Sequence, residues 1–555
     1  MLRRSSLSSD AADSRSRRTK VFVLSALLGA LLFILIYGPY VLDPFYDDWI
    51  FMSRERDIVQ HYVGFCLYRS SPWQFPIGLV TTASYPHDMS VVYTDAIPLL
   101  AFLGKLLDPV LPTVFQYLGI YGMISMALTG GMGGLIVYEH TGNRAAAVVS
   151  SAFYSLSWTL LYRMFYHTSL TSHWLILLAF YIWIRKDLRD GMKKAIPLYI
   201  CFSAAAMLIH PYIWAMCAGI TAMSLIEELV EKKDIKKFFA CGTAYCFTGA
   251  LSLYVFGALT SVKGASLGAG SYEANLNTFF NSMDLGLVPG LPVALLQYEG
   301  FGYLGAGILL LILVSVILAA VQRSRPGLTL RRRMYIITAL CFLAFCIIPE
   351  ISWCKTVLLD LDLGKLFGTI VGIFRSNGRF IWPVGYMLMT AVIVFICRHV
   401  KGRALLPVLA VCLAIQVADM MPFLMEKHDV FARSDYEFTG ILDDLQPVND
   451  VIDRYDHIVL DIKDGEIDQD ISYYAYRNGL TTNDFYYARP IENQVQNTLE
   501  ALRNDMANGK YDDTLLYVLG KDTKPKYKDF DLHFYEIKGR YLASHVPIEG
   551  LTETE

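Results

Sequence analysis

The sequence predicts an all-α polytopic membrane bundle of about eleven transmembrane helices, followed by a small extracytoplasmic α/β domain. Residues 21 to about 422 are long apolar runs separated by short polar loops, whereas residues 425–555 are rich in Asp, Lys and Tyr. Hydrophobic residues make up 54% of the chain and charged residues only 18%, against about 25% charge in an average soluble domain. Cations fall mainly in alternate loops, which is typical of a multi-pass membrane protein.

The chain begins with a basic arm, residues 1–20, which we expect to be disordered and cytoplasmic. The apolar run 21–42 follows, and its roughly 22 residues are enough to cross a bilayer at about 1.5 Å per residue. A signal peptide has a shorter apolar core and a small-residue cleavage site, whereas this run leads into Asp-Pro-Phe-Tyr-Asp-Asp. The run is therefore interpreted as the first span.

Ten further runs complete the predicted bundle: 113–138, 145–162, 168–184, 195–210, 212–229, 238–258, 302–321, 334–350, 380–397 and 404–422. If the N-terminus is cytoplasmic, the even-numbered gaps are cytoplasmic too, and those gaps carry the clusters of Lys and Arg. The long outside gap 259–301 carries one cation, Lys263. An odd number of spans places the C-terminal domain on the opposite side from the N-terminus.

The predicted organisation is thus a transmembrane domain, 21–424, and an extracytoplasmic domain, 425–555, in the plasma or inner membrane. The transmembrane domain has outside loops at 43–112, 259–301 and 351–379. Two apolar pieces in these loops, Ile97–Leu107 and Leu363–Phe374, are too short to span and are expected to lie along the interface. In the C-terminal domain we expect strands at His457–Asp461, Leu515–Leu519 and Leu532–Ile537 and a helix at Gln494–Met506.

The distribution of charge excludes some function classes. The predicted span centres contain almost no ionisable groups, which argues against a proton-coupled or ion-coupled transporter. No domain-wide basic patch is present, so nucleic acid is not an expected partner. Unusual polar residues occur instead at the predicted outer ends of the spans.

The first outside loop offers the candidate catalytic acids. Asp57, Gln60, His61 and Gly64 are spaced to share one face of a helix, and the glycine leaves room there for a ligand. Asp95 is a second candidate, although it also suits the N-cap of the helix that follows at Pro98. Asp48, with Asp47, lies just after the first span and fits either an acidic pair or a solvated loop.

Other outer ends supply candidate substrate-binding residues. Arg375 and Arg379 lie four residues apart on the predicted outer side, against the usual charge rule, and suit a phosphate at headgroup depth. The remaining substrate-binding candidates are Gln60, His61, His167, His173, His210, Tyr212, Glu299 and Trp382, several of which are also ordinary interfacial residues. No ligand set is spaced closely enough to assign a metal, so a divalent cation stays an open option and no cofactor is assigned.

Several motifs carry a family resemblance. They are the segments Asp57–Gly64, Ser71–Gly78, Tyr93–Ala101, Phe115–Gly119, Tyr298–Gly305, Phe374–Pro383 and Asn483–Arg489. They resemble a family of uncharacterised bacterial polytopic membrane proteins that looks like a branch of the glycosyltransferase C (GT-C) superfamily. The resemblance touches most of the chain.

The resemblance implies a GT-C-like membrane glycosyltransferase. Such an enzyme takes a sugar from a polyprenyl-phosphate-linked donor and transfers it to a cell-envelope glycan or lipid acceptor on the outer face of the membrane. The catalytic acid in the first outside loop maps to Asp57, with Asp95 second, while the more usual acidic pair after the first span favours Asp47 or Asp48. The alternatives are a lipid-linked glycan flippase or ligase-like protein and a non-catalytic cell-envelope assembly scaffold.

Overall fold

A computed structural model gives the architecture. It describes residues 2–53, 56–259, 272–294, 296–322, 327, 329–362, 364, 368, 372–462, 465–488 and 493–554. The apolar part of the chain is a helical bundle, and the polar C-terminal part is built around a small sheet. Most of the predicted interfacial piece Leu363–Phe374 and most of the Gly-rich first half of the 259–301 loop lie outside the described residues.

Each predicted span contains helix. The helices of the bundle are Leu2–Tyr37, Leu118–Thr141, Arg144–Ser155, Trp158–Arg163, His173–Ile184, Met192–Ile209, Pro211–Lys232, Ile235–Val255, Ala306–Val321, Leu330–Ile347, Ile381–His399 and Leu405–Phe431. The Arg144–Ser155 and Trp158–Arg163 helices form one predicted span, broken at Leu156–Ser157. The last helix continues to Phe431, beyond the predicted domain boundary at 424.

Among the described residues, eight helical segments are long and apolar enough to cross a membrane. They are Asp13–Tyr37, Leu118–Thr141, Arg144–Arg163, Met192–Ile209, Pro211–Lys232, Ile235–Val255, Asn377–His399 and Gly402–Phe431. Thr168–Ile184 and Ala306–Val321 are shorter apolar segments, and the Leu330–Ile347 helix opens with three arginines. The count of eleven spans stays a prediction.

The basic arm differs from the expectation. The first helix begins at Leu2 and continues without a break into the first apolar run. No Pro or Gly interrupts residues 2–28, and Asp13 pairs with Arg17 four residues on, so helix propagates back from the span. The expectation of a disordered arm is therefore wrong for the described residues.

The loops gather at two ends of the bundle. At one end, Glu139 pairs with Arg18 at 2.6 Å and with Arg185 at 3.1 Å. At the same end, Glu227 pairs with Lys186 and Arg331, each at 3.2 Å. These contacts join the N-terminal arm and three of the gaps predicted to be cytoplasmic, so the structure places them together on one side. Which side faces the cytoplasm stays a prediction.

The first outside loop forms a compact layer at the other end. Its helices are Asp48–Met52, Arg56–Ser70 and Pro98–Leu106, the last confirming the predicted short apolar helix. A two-stranded hairpin, Leu79–Val80 and Met89–Ser90, lies between the second and third helices, and a second hairpin pairs Glu350–Trp353 with Thr356–Asp360. Short 3₁₀ turns occur at Tyr40–Leu42, Val91–Thr94, Asp108–Val110, Thr168–Thr171, Lys186–Arg189, Gln297–Gly300, Asn377–Phe380, Gly402–Ala404, Ile452–Arg454 and Lys524–Lys526.

The C-terminal domain is an α/β unit with a five-stranded sheet. Along the sheet the strands are Thr481–Thr482, His457–Asp461, Leu515–Leu519, Arg540–Ser544 and His533–Ile537. The first three are parallel and the last two antiparallel to their neighbours. Helices Gly465–Arg477 and Gln494–Ala507 accompany it, with a short helix at Gln446–Asn449. The three predicted strands and the predicted helix are confirmed within one residue.

The C-terminal domain packs on the first outside loop. The Thr482 N–H donates to Thr82 O, and the Tyr85 N–H donates to Thr482 O, each at 2.8 Å. Further along, the Ala488 N–H donates to Tyr93 O at 2.9 Å. These bonds hold the 482–488 segment beside the turn that carries Asp95, so the two domains meet at the end of the bundle where the candidate residues lie.

Candidate functional site

The Arg56–Ser70 helix presents the first set of candidate residues. Gln60 and His61 are buried on it, and Asp57 keeps a side chain that is 39% exposed. Gly64 does not leave room for a ligand, because a Cβ there would lie 2.5 Å from the Cβ of Thr94. The glycine instead lets the Val91–Thr94 turn approach the helix, and this brings Asp95 towards Asp57.

Asp95 is not the N-cap of the Pro98–Leu106 helix. The Pro98–Leu106 helix is preceded by Ile97, which makes no side-chain cap hydrogen bond. Asp95 and Ile97 both have left-handed backbones, with φ of 56° and 54°. That conformation is uncommon for a β-branched residue and is held where the surrounding structure fixes it, often at a functional site. The N-cap interpretation of Asp95 is therefore wrong, and its carboxylate is directed to two histidines.

His167 lies between two carboxylates. Its Nδ1 is 3.3 Å from Asp57 Oδ2, and its Nε2 is 3.4 Å from Asp95 Oδ2. Burial alone would lower the pKa of His167, but the negative charge of Asp95 and the hydrogen bonds to both carboxylates raise it. Burial alone would raise the pKa of both carboxyls, yet His167 lowers that of Asp57 and lowers that of Asp95 strongly. Both carboxylates are therefore ionised at neutral pH.

His210 supports Asp95 from the other side. Its Nδ1 accepts a hydrogen bond from the Tyr212 backbone N–H at 3.1 Å, so the ring proton lies on Nε2. That Nε2 is 3.4 Å from Asp95 Oδ1. Burial lowers the pKa of His210 and keeps it neutral. His210 therefore holds the carboxylate of Asp95 without adding charge.

His61 completes the cluster. Its ring centroid is 5.0 Å from that of His167, and the side chain is fully buried. Burial lowers the pKa of His61 to about 3, so the ring is neutral. The possible ligand atoms of His61, Asp95 and His167 all lie within 4.8 Å of one another. Among the described residues, these three therefore form a group that could hold a metal ion.

A pair of arginines faces one buried carboxylate beside this cluster. Glu299 Oε2 accepts from Arg163 Nη2 and from Arg379 Nε, each at 2.7 Å. The Arg379 guanidinium lies 4.8 Å from the centre of the Tyr212 ring, which follows His210. Burial alone would raise the pKa of Glu299, but the two guanidiniums hold it well below its ordinary value.

Arg163 was not among the residues singled out from the sequence. It lies one residue beyond the predicted 145–162 span, on the predicted outer side. An arginine there departs from the charge rule in the same way as Arg375 and Arg379, so that signal could have identified it.

His173 and Trp382 extend the site into the bundle. Their ring centroids are 4.7 Å apart, and His173 Nδ1 is 2.8 Å from the Tyr386 hydroxyl. The Arg163 guanidinium lies 5.6 Å from the centre of the Trp382 ring. Trp382 and Tyr386 also line a small pocket together with Ser157 and Thr159. These two candidates therefore adjoin the arginine pair rather than the carboxylates.

Arg375 lies on the side of the C-terminal domain. Arg375 is half-buried. Burial raises the pKa of the Tyr486 hydroxyl, and the charge and hydrogen bond of Arg375 oppose that rise. The charges of Asp57 and Asp95 also act on that hydroxyl. Tyr486 is 56% exposed. Tyr486 belongs to a motif of the family resemblance but was not a predicted site residue. Its closeness to Asp57 and Arg375 depends on how the C-terminal domain packs on the first outside loop.

Asp48 is not brought to this cluster. Its Oδ1 accepts the Phe438 N–H at 2.9 Å. The neighbouring Asp47 accepts hydrogen bonds from the hydroxyls of Tyr62 and Tyr473. Both acids therefore tie the first outside loop to the segment that leads into the C-terminal domain and to that domain itself.

The structure is similar to the crystal structure of the Archaeoglobus fulgidus oligosaccharyltransferase in the apo form, at 12% identity and a TM-score of 0.41. The match covers 97% of this chain and 76% of that one, and a TM-score of this size does not define a shared fold. No curated protein matches the chain significantly.

Family models match both parts of the chain. The model described as a domain of unknown function, DUF6311, matches residues 26–421, and its C-terminal domain model matches residues 448–545. The first match alone spans more than half of the chain, and the second coincides with the α/β unit. The chain therefore belongs to the DUF6311 family.

Proposed function

We propose that the protein is a membrane glycosyltransferase. It moves a sugar from a polyprenyl-phosphate-linked donor to a glycan or lipid acceptor on the outer face of the membrane. The observation that carries the proposal is the convergence of Asp57 and Asp95 on His167, beside the Arg163–Glu299–Arg379 group, at one end of an apolar bundle. The sequence motifs resemble a family of bacterial membrane proteins that looks like a branch of the GT-C superfamily, and this resemblance suggests the reaction class.

Asp57 is the general base in this proposal. Its side chain is 39% exposed, whereas that of Asp95 is 11% exposed and is engaged by two histidines. Since His167 lowers its pKa, Asp57 is ionised and able to take a proton. The acceptor hydroxyl gives its proton to Asp57 as its oxygen bonds to the anomeric carbon. The bond from that carbon to the phosphate oxygen breaks, and its electron pair leaves with the lipid phosphate.

Arginines stabilise the leaving phosphate. Arg379 is enclosed, with its Nε held by Glu299, and Arg375 is the more exposed of the two. We assign the direct phosphate contact to Arg375 and the supporting charge to Arg379, because fixed cations near a developing negative charge lower the barrier most effectively. Glu299 fixes the direction of the Arg379 guanidinium, which must point the same way in every turnover.

The acceptor enters from the side of the C-terminal domain. Tyr486 is exposed, and the charges of Asp57 and Arg375 act on its hydroxyl, so an acceptor bound beside Tyr486 would have its own hydroxyl close to the base. This places the active site between the two domains. It also requires that end of the bundle to face away from the cytoplasm, in agreement with the distribution of cations.

Donor consumption tests the proposal. The full-length protein in liposomes is given radiolabelled polyprenyl-phosphate hexoses and pentoses, together with cell-envelope lipid and glycan fractions as acceptors. We expect release of polyprenyl phosphate with one of the donors, coupled to labelling of an acceptor. Liposomes without the protein are the blank. Movement of a donor across the bilayer with no release of polyprenyl phosphate would contradict the proposal and favour a flippase.

A further inference from the structure

His61 has no hydrogen-bond partner in the part of the chain that the structure describes. Both ring nitrogens are buried and unpaired. Leaving a buried polar atom unsatisfied costs roughly 1–3 kcal/mol, so such groups are usually explained by an unseen water or ion. An aliphatic side chain at position 61 would fill the same space without leaving a buried polar atom unpaired. The position therefore calls for a ligand that binds imidazole nitrogen.

The neighbours of His61 are of the right kind. Asp95 and His167 present ligand atoms that, with those of His61, lie within 4.8 Å of one another. Within this group, Asp95 Oδ2 and His167 Nε2 are 3.4 Å apart. Two imidazoles and one carboxylate suit Zn²⁺ and similar transition metals, whereas Mg²⁺ and Ca²⁺ prefer oxygen ligands.

The surrounding residues orient these three groups. Asp57 Oδ2 faces Nδ1 of His167 at 3.3 Å, which leaves Nε2 directed at the cluster. His210 Nε2 faces the second oxygen of Asp95 at 3.4 Å. Carboxylate–histidine–metal arrangements of this kind fix the ring orientation of metal ligands and strengthen them. Two of the three candidate ligands, His167 and Asp95, thus each have a neighbouring side chain that fixes their orientation.

We propose that His61, Asp95 and His167 form a binding site for a divalent transition metal of the zinc class. Asp57 and His210 act as positioning residues for His167 and Asp95. Three protein ligands leave a coordination position open, as in metal sites that take part in reactions. The site stands independently of sugar transfer, because its evidence is the ligand geometry alone.

Metal binding by the purified full-length protein tests the site. After treatment with EDTA and gel filtration, the protein is incubated with Zn²⁺, Mn²⁺, Co²⁺ or Mg²⁺, and bound metal is measured by mass spectrometry. We expect a single tightly bound Zn²⁺ per chain and no retained Mg²⁺. His61→Gln and Asp95→Asn should lose it, and His210→Ala should weaken it by about 10- to 100-fold, the usual effect of losing an orienting partner.

Two control variants address adventitious binding. His87 is an exposed histidine of the same outside loop, and His545 faces Asp513 at 2.6 Å on the surface of the C-terminal domain. His87→Gln and His545→Gln should keep the tightly bound Zn²⁺. Loss of the metal in His545→Gln, with retention in His61→Gln, would overturn the proposal.

The Co²⁺-loaded protein gives a second readout. Its visible ligand-field absorption should change in His61→Gln, and size-exclusion profiles show whether each variant is folded. A folded wild-type protein that takes up none of the transition metals would mean that only a proton joins His167 to Asp95, and would overturn the site. Zn²⁺ binding without donor consumption would overturn the proposed function alone. Donor consumption in EDTA by a protein that binds no metal would overturn the metal site alone.

Discussion

Replacing Glu299 by glutamine tests how the arginine pair is held. Glu299 accepts one hydrogen bond from Arg163 and one from Arg379, each at 2.7 Å, and the three side chains are 8%, 1% and 8% exposed respectively. The variant would leave two guanidiniums facing each other in a buried space without a counter-charge. Removing one partner of a buried ion pair costs about 3–5 kcal/mol. We therefore expect Glu299→Gln to destabilise the protein by about that amount.

The measurement is denaturant-induced and thermal unfolding of the purified protein in detergent micelles, followed by tryptophan fluorescence. Glu553→Gln is the matched control, because Glu553 is an exposed acid whose side chain is 56% accessible beside His533. Such a surface change should shift the free energy of unfolding by less than about 0.5 kcal/mol. A loss below about 1 kcal/mol in Glu299→Gln would refute the idea that this carboxylate balances both arginines.

The same carboxylate predicts a pH dependence. Burial alone would raise the pKa of Glu299, but Arg163 and Arg379 hold it well below its ordinary value in the folded protein. A depressed carboxyl pKa stabilises the folded state above the unfolded-state pKa of about 4.3, and the stabilisation is lost as the pH falls towards the folded-state value. The stability difference between wild type and Glu299→Gln should therefore be full at pH 7 and shrink below about pH 4. A difference that grows on acidification would contradict this assignment.

Three further predictions concern topology, packing and phosphate binding. Reporter fusions after residues 190, 235, 328 and 401 should score cytoplasmic and those after 275 and 440 external, and an external signal at 235 or 328 would overturn the span count. Gly64→Ala should cost about 1–3 kcal/mol in unfolding experiments, because its Cβ would lie 2.5 Å from that of Thr94, whereas Gly242→Ala, with open space around it, should cost nothing. Arg375→Lys should raise the KM for donor because Lys lacks the planar fork with which Arg375 would hold the phosphate, and an unchanged KM would count against that direct contact.

Local patterns accounted for much of the fold. The helix that carries Asp57 and His61 follows from their spacing, and the strands His457–Asp461 and Leu515–Leu519 follow from short apolar runs between polar segments. The helix Pro98–Leu106 follows from an apolar run too short to span. Such signals lie within about ten residues of sequence and do not depend on what packs against them.

The site depended on contacts that local patterns cannot show. Glu299 and Arg163 are separated by 136 residues, and Asp48 meets the Phe438 backbone 390 residues away. Asp95 had two sequence interpretations, and only the left-handed turn that directs it to His167 and His210 distinguishes them. In each case a tertiary contact decides which of several plausible roles a polar residue has.

Paired carboxylate variants test the central claim most directly. Asp57→Asn and Asp48→Asn are both nearly isosteric, but Asp57 borders His167 while Asp48 binds the Phe438 backbone N–H. In the donor-consumption assay we predict that Asp57→Asn lowers the rate about 100- to 10,000-fold, the usual effect of losing a general base, and that Asp48→Asn stays near the wild-type rate. Full activity in Asp57→Asn with a comparable loss in Asp48→Asn would contradict the account and move the base to the acidic pair after the first span.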